Sequence, residues 1–336
     1  MSKTYLVTGG TGFIGAALVR RLLQEGHRVK SLDNNIRGNP RRLRDLINEI
    51  ELIEGDIRDS ELVTKSCKNV DAVCHLAFIN GTEFFYSNPQ LVLEVGVKGI
   101  INVLDGCKNA GVGEFMLMSS SEVYQSAQVV PTDETVPLTI PDIYNPRYSY
   151  AGGKIISEIL AINYGRIDFD RVSIVRPHNV YGPDMGWAHV LPQFILRLHK
   201  LTQTANERLI DFPIQGSGDE TRSFVYIDDF IEGTMAVIER GEHLGLYHIG
   251  TMQEIAIKEV ARMIAHYFGC KLRIKPGSKA KGSPTRRCPD ITKVSNLGYE
   301  PRWELAEGIS VISKWYTTHA HEQPKNELFE AGIVGT

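Results

Sequence analysis

The sequence predicts a doubly wound α/β protein: a parallel sheet with helices on both faces, joined to a smaller mixed α/β region from the C-terminal half. Three observations lead there. Short β-branched runs alternate with longer helical patterns through the first half, a glycine triplet stands at the first strand-to-helix crossing, and the alternation breaks after Tyr181. Repeated strand–helix–strand units need parallel strands covered on both sides, and such sheets take their ligands at the carboxyl ends of the strands.

The strands read TYLVT (4–8), RVKSLD (28–33), ELIEGD (51–56), AVCHLA (72–77), FMLMSS (115–120) and RVSIVRP (171–177). Each is short, largely apolar and bounded by turn residues. Helical length and period fill 13–25, 40–49, 59–68, 89–110 and 150–165, and later 189–200, 228–240, 256–268 and 305–318. The later helices are separated by GPDMG, by QGSGDETRS and by KPGSKAKGSPTRRCPD (275–290), all rich in turn formers. We expect residues 1–180 to form a dinucleotide-binding domain to which 223–250 returns. Residues 181–222 and 251–318 would form a substrate-binding region, with 319–336 a tail lacking any period.

Composition excludes several classes. Of 336 residues, 42% are hydrophobic and 23% charged, ordinary for a globular chain, and the net charge of −3 gives no footprint for nucleic acid or for an anionic membrane surface. The five cysteines (Cys67, Cys74, Cys107, Cys270, Cys288) are scattered and form no CxxC pair, against both a disulfide framework and a zinc site, so no metal is expected. No apolar run nears the roughly eighteen residues a membrane span needs. Met1 to Lys3 lead straight into a strand, so no secretory signal is expected either, and a reducing cytoplasm is the expected compartment.

Gly9, Gly12 and Gly15 lie between the first strand and the first helix, which opens on Phe13 and Ile14. Glycine there allows a tight turn, a close approach of backbone to a pyrophosphate, and close packing of helix on strand, while the anion sits on free N–H groups at the helix start. Asp33 ends the second strand, with Asn34 after it. A carboxylate at that place accepts from both hydroxyls of an adenine ribose and repels a 2′-phosphate, which favours NAD; nearby Arg37 keeps NADP open. Asp56 and Ile57 at the third strand, and Leu76 and Ala77 at the fourth, stand where adenine and ribose would be lined. His75 reads as a core histidine.

Tyr150 and Lys154 are four residues apart and share a helix face. A phenol titrates near pH 10, and an ammonium beside it, with a positive nicotinamide ring, would lower that value enough for it to act as a base. The preceding strand ends in MSSSEVY, which brings hydroxyls to the sheet edge that carries the phosphate loop.

At this point the chain resembles the extended short-chain dehydrogenase/reductases of the NAD-dependent nucleotide-sugar epimerase/dehydratase group, a Rossmann-type fold. The resemblance runs over about residues 1–318 through TGGTGFIG, YAGGK, RPHNVYGP (176–183), GSGDETRSFVYIDD (216–229) and RRCPDITK (286–293). It implies Ser120 as the family's serine/threonine, Tyr150 as base, Lys154 as the lysine on the nicotinamide ribose, and Pro177 beside the cofactor. It implies Ser121, Asn179, Arg222 and Arg286 as contacts to the substrate, a nucleotide-diphosphate sugar, and a homodimer formed through the helices at 89–110 and 150–165. The activity implied is conversion through a transient 4-keto sugar, nominally an epimerisation. Glu122, two residues after the serine, opens 4,6-dehydration and decarboxylation of a uronic acid as alternatives; net oxidation at C4 and a non-catalytic NAD-binding regulator are further ones. His178 and Trp187 read as packing residues. Two positions depart from the family pattern: Phe78, where HLAA is common, and Gly96, where asparagine is common.

Overall fold

The computed structural model describes residues 2–204, 209–278 and 284–324. The tail expected at 319–336 therefore falls outside the described residues beyond residue 324.

In chain order the elements are β1 (Thr4–Thr8), α1 (Phe13–Gln24), β2 (Arg28–Asp33), β3 (Ile50–Glu54), α2 (Ser60–Ser66), β4 (Ala72–His75), α3 (Thr82–Ser87), α4 (Pro89–Glu94), α5 (Ile100–Ala110), β5 (Glu114–Met118), α6 (Tyr148–Asp168), β6 (Arg171–Pro177), β7 (Val180–Tyr181) and α7 (Val190–Thr204). There follow β8 (Leu209–Ile214), β9 (Thr221–Ser223), β10 (Val225–Tyr226), α8 (Ile227–Arg240), β11 (Gly245–Ile249), β12 (Glu254–Ala256), α9 (Ile257–Tyr267), β13 (Lys271–Pro276), β14 (Arg286–Arg287), α10 (Thr292–Ser295) and α11 (Leu305–Thr318).

Seven parallel strands form the main sheet in the order β11-β6-β5-β4-β1-β2-β3. The order reverses between β1 and β4, and the crevice at that switch point is where such sheets bind ligands. Alternation along the strands supplies both faces. Tyr5 and Val7 of β1, with Met116 and Met118 of β5, join the core beneath α1 and α8; Leu6, Phe115 and Leu117 point the other way, under α2, α5 and α6. The last strand, β11, comes from the second half and pairs with β6 from Gly245↔Ser173 to Ile249↔Pro177.

Two expected helices take another form. Pro40–Leu46 is a 3₁₀ helix, started by Pro40 and by Asn39, whose side chain accepts from Arg41 N. The stretch 89–110 is divided into α4 and α5 by one π-helical segment, Val95–Gly99. The remaining strands form small sheets: β12-β9-β14, β13-β8 and β10-β7.

Candidate active site

The phosphate loop follows β1 directly. Gly9 has φ of +74°, and a Cβ on it would stand 2.8 Å from Ala77 N; one on Gly15 would stand 2.0 Å from Gly9 O. The loop thus presses on β4 on one side and on α1 on the other, a fit only glycine allows. Helix α1 starts at Gly12 without a side-chain cap and without an acid in its first turn, so no side chain competes with an anion for the N–H groups there. The Asp33 carboxylate is aimed by two backbone donors, Thr11 N at 3.0 Å and Asn35 N at 2.9 Å. Each carboxylate oxygen keeps a lone pair for a ribose hydroxyl. Asp56 accepts from Asn34 Nδ2 at 2.9 Å and from the Arg58 guanidinium at 2.8 Å, and the Arg58 hydrogen bond holds its carboxyl down at about 2. Ile57 is buried, and Leu76 and Ala77 follow β4 with their amides on Thr8 O and Thr8 Oγ1. These residues fit a dinucleotide: an anion cradle, a carboxylate for a ribose and an apolar wall lie along one sheet edge. Arg37 lies with its guanidinium 5.2 Å from the Phe84 ring centroid.

His75 is buried against Phe115 and hydrogen-bonded to Thr8 Oγ1 at 2.8 Å; burial lowers its pKa to about 3, so it is neutral and structural.

Ser120 caps the start of the 3₁₀ turn after β5 (Ser121–Tyr124), where its Oγ accepts from Glu122 N at 3.1 Å and its hydroxyl hydrogen-bonds Tyr150. Tyr150 and Lys154 lie in the first two turns of α6, both buried. Burial pushes the Tyr150 hydroxyl up, Ser120 opposes this, and Glu122 adds to it. Lys154 donates to Met118 O at 2.7 Å with Phe78 over its Nζ, and burial lowers its own pKa to about 7. Beneath the site lies a buried ion pair: Arg176 donates to Glu158 at 2.5 and 2.8 Å, while Ser119 binds the same carboxylate and Tyr124 the same guanidinium.

On the substrate side the structure turns a different arginine inward. Arg286 is exposed and held by Glu254 at 2.7 and 2.9 Å, whereas Arg287 donates to Glu122 Oε1 at 2.6 Å. The reason is register. Strand β14 runs parallel to β9 with Arg286 opposite Thr221 and Arg287 opposite Arg222, so Arg287 shares the face of Arg222. Arg147, one turn before Tyr150, brings its guanidinium to 3.9 Å from the other Glu122 oxygen. Neither Arg287 nor Arg147 was singled out in the sequence; their signals were the alternation in RRCP and the one-turn spacing in RYSY. Burial alone pushes the Glu122 carboxyl up, but Arg287, with Arg147 and Arg222 adding, outweighs it and holds the net value below the ordinary one. Arg222 is buried and donates to Thr221 O and Pro284 O, with its pKa lowered to about 10, chiefly by burial and then by Arg287. Asn179, at φ of +41°, donates its amide to Ser223 O at 2.7 Å, and Ser121 is buried. His178 is buried beside His248, its ring nitrogens without partners. Trp187 packs on Tyr316 and Trp315. Pro177 closes β6 at the same sheet edge. Among the described residues no cluster of three or more metal-ligating side chains occurs.

The model of the NAD dependent epimerase/dehydratase family matches residues 5–250, and the chain belongs to that family of NAD-dependent enzymes. Among relatives, UDP-glucuronic acid decarboxylase 6 of Arabidopsis thaliana is 33% identical over 318 residues, 92% of this chain and 87% of that one. UDP-glucuronic acid decarboxylase 1 of Xenopus tropicalis is 30% identical over 97% of this chain and 75% of its own. Among solved structures, the dTDP-glucose 4,6-dehydratase DesIV of Streptomyces venezuelae, with NAD bound, superposes with a TM-score of 0.84 at 28% identity, covering 95% of this chain and 98% of that one.

Proposed function

We propose that this enzyme decarboxylates a nucleotide-diphosphate uronic acid, with UDP-glucuronate the substrate to try first. The observation that carries the reading is the Glu122 cluster: one carboxylate, two residues from Ser120, faces Arg287 at 2.6 Å and Arg147 at 3.9 Å with Arg222 close behind. Arg287 and Arg147 both face Glu122, and Arg222, shared between Glu122 and Glu220, lies behind them, so positive charge prevails beside Ser120, which suits a second carboxylate and a diphosphate. Plain inversion at C4 needs such charge for the diphosphate alone and none beside Ser120, so decarboxylation takes the place of epimerisation as the favoured outcome. Dehydration with an Asp–Glu pair would want an acid where Ser121 stands. The decarboxylases among the relatives support the same choice.

Gly9, Gly12 and Asp33 would hold NAD, which would supply a reversible hydride acceptor for C4. Tyr150 accepts the proton of the 4-hydroxyl, and Ser120 hydrogen-bonds the same oxygen. With a ketone at C4 the C5 carboxylate is β to it. The bond from C5 to the carboxyl carbon breaks, carbon dioxide leaves, and the electron pair moves to the C4 oxygen, where Ser120 and Tyr150 donate to the developing charge. A proton from water then goes to C5 as the C4 ketone re-forms, and return of hydride to C4 takes back the proton held on Tyr150. Arg287, fixed by Glu122, holds the carboxylate before it leaves. Lys154 would hold the nicotinamide ribose.

The cofactor would be bound by residues 1–180 with 223–250, and the sugar nucleotide by 181–222 and 251–318. This division is supported by β11 closing the main sheet and by Arg222 and Arg287 lying on the small β12-β9-β14 sheet. A homodimer is part of the proposal: Leu93 of α4 and Ile156 and Ile159 of α6 are exposed at 38%, 40% and 54%. No described helix is long and apolar enough to cross a membrane, and the five cysteines are free, which suits a reducing compartment such as the cytoplasm.

The test is to incubate the purified enzyme with NAD and UDP-glucuronate and weigh the product. Loss of carbon dioxide to give a UDP-pentose is expected. An isomer of unchanged mass, loss of water, or loss of two hydrogens with NADH accumulating would each overturn the reading.

A further inference from the structure

The two departures from the family pattern, Phe78 and Gly96, meet in space. A Cβ on Gly96 would stand 2.4 Å from Phe78 Cζ and 2.6 Å from Cε2, and one on Gly153 of α6 would stand 2.9 Å from Cζ. The Phe78 ring therefore fills the volume that a side chain at 96 would occupy, and it enters that volume only because two facing helical positions are bare. Gly96 lies within the π-helical segment, and its carbonyl accepts from Ser157 Oγ at 3.1 Å, so the bare position is pinned to α6.

What the ring covers is the reactive pair. Its centroid lies 4.1 Å from Lys154 Nζ, and it meets the Tyr150 ring edge to face, with centroids 5.0 Å apart and planes at 81°. The opposite side of Tyr150 is stacked on Phe85 at 5.0 Å. Lys154 is 3% exposed and gives one N–H to Met118 O at 2.7 Å. A buried ammonium gains from an aromatic face, because the ring quadrupole attracts the cation where water does not reach.

We propose that Phe78 is a positioning residue: its ring fixes the Lys154 ammonium that lies over it and, by T-shaped packing, the Tyr150 ring, in a space opened by Gly96 and Gly153. The volume at 78 is needed for packing, but the aromatic face is needed for the chemistry, and the two can be separated.

The proposal rests on the redox step at C4, not on decarboxylation. The assay therefore follows whichever product the wild-type enzyme forms from a panel of UDP-glucuronate, UDP-glucose, dTDP-glucose and GDP-mannose. A wrong end product under the preceding heading leaves this test intact. Three variants are compared with wild type for kcat, KM and Tm: Phe78→Leu, Phe78→Ala, and Phe78→Ala with Gly96→Ala. Phe78→Leu keeps most of the volume and removes the ring; it is expected to hold Tm and KM while kcat falls about tenfold. The double variant is expected to recover part of the Tm lost by Phe78→Ala, because a methyl at 96 refills the space, without recovering kcat. Wild-type kcat in Phe78→Leu would overturn the proposal. So would a loss of kcat that merely follows Tm across the set, or a double variant whose kcat returns with its Tm.

Discussion

Arg287 and Arg286 are adjacent, alike in chemistry and opposite in environment. Arg287 is part-buried on Glu122 at 2.6 Å, and Arg286 is exposed on Glu254. Replacing Arg287 by methionine is expected to lower kcat for UDP-glucuronate by about a hundredfold or more, since it removes a charge-assisted contact at the reacting end of the sugar. Arg286→Ala should cost far less; a comparable loss would move the carboxylate contact to the wrong arginine. Arg287→Lys is not a rescue, because an ammonium lacks the fork that spans Glu122 and a second carboxylate. Asp56 offers a pH test. Its folded-state value is held down to about 2 by Arg58, below that of an unfolded aspartate near 4. The stabilisation is therefore complete above pH ~4 and lost as the pH falls toward 2. The Asp56→Asn variant should lose less Tm than wild type between pH 6 and pH 3, and an equal loss would dismiss the pair as a stabilising one.

At the scale of elements, the loop from β1 to α1 and the seam between α6 and β6 set the geometry. A methyl group on Gly15 would stand 2.0 Å from Gly9 O, so Gly15→Ala must push α1 off the loop. A cost of about 1–3 kcal/mol is expected. Loss of co-purifying dinucleotide, measured after denaturing the protein, should accompany it. Retention of full dinucleotide occupancy would show that the loop tolerates the shift. Below the site, Glu158 on α6 and Arg176 on β6 are each 3% exposed, and their pair also holds Ser119 and Tyr124. Removing one partner leaves a buried charge, for which about 3–5 kcal/mol is the usual loss. Urea unfolding of Arg176→Met should show a loss of this size, whereas replacing both residues by apolar ones of similar volume should cost less.

The whole molecule joins its halves by contacts no local pattern announces. Arg41 and Arg42, on the 3₁₀ turn after β2, both pair with Asp184 beyond β7, each at 3.0 Å, and Arg41 reaches Glu322 as well. These link the cofactor side, the start of the substrate side and the segment after α11. The exposed Leu93, Ile156 and Ile159 belong to the same scale. Wild type is expected to elute as a dimer in gel filtration, and Ile159→Asp as a monomer with unchanged Tm on dilution; a monomeric wild type would remove the dimer from the proposal.

The alternation of β-branched runs with helical periods was enough to place β1, β2 and β6 to the residue, because strands buried on both faces must be apolar and helices between parallel strands must be long. The glycine triplet and Asp33 were singled out for a similar reason, their place at strand ends beside the first helix, whereas the roles expected of Ser120, Tyr150 and Lys154 rested on the family resemblance. What lay beyond the sequence was everything set between elements. The inward turn of Arg287 depends on the β14–β9 register, the approach of Arg147 to Glu122 on the packing of α6 against the turn after β5, and the union of Phe78 with Gly96 on two segments meeting over Lys154. Local propensity fixes which face a residue takes on its own element, but which charge it meets is decided only when the elements pack. The identity of the cofactor follows from the first, and the choice among the fates of a 4-keto sugar from the second.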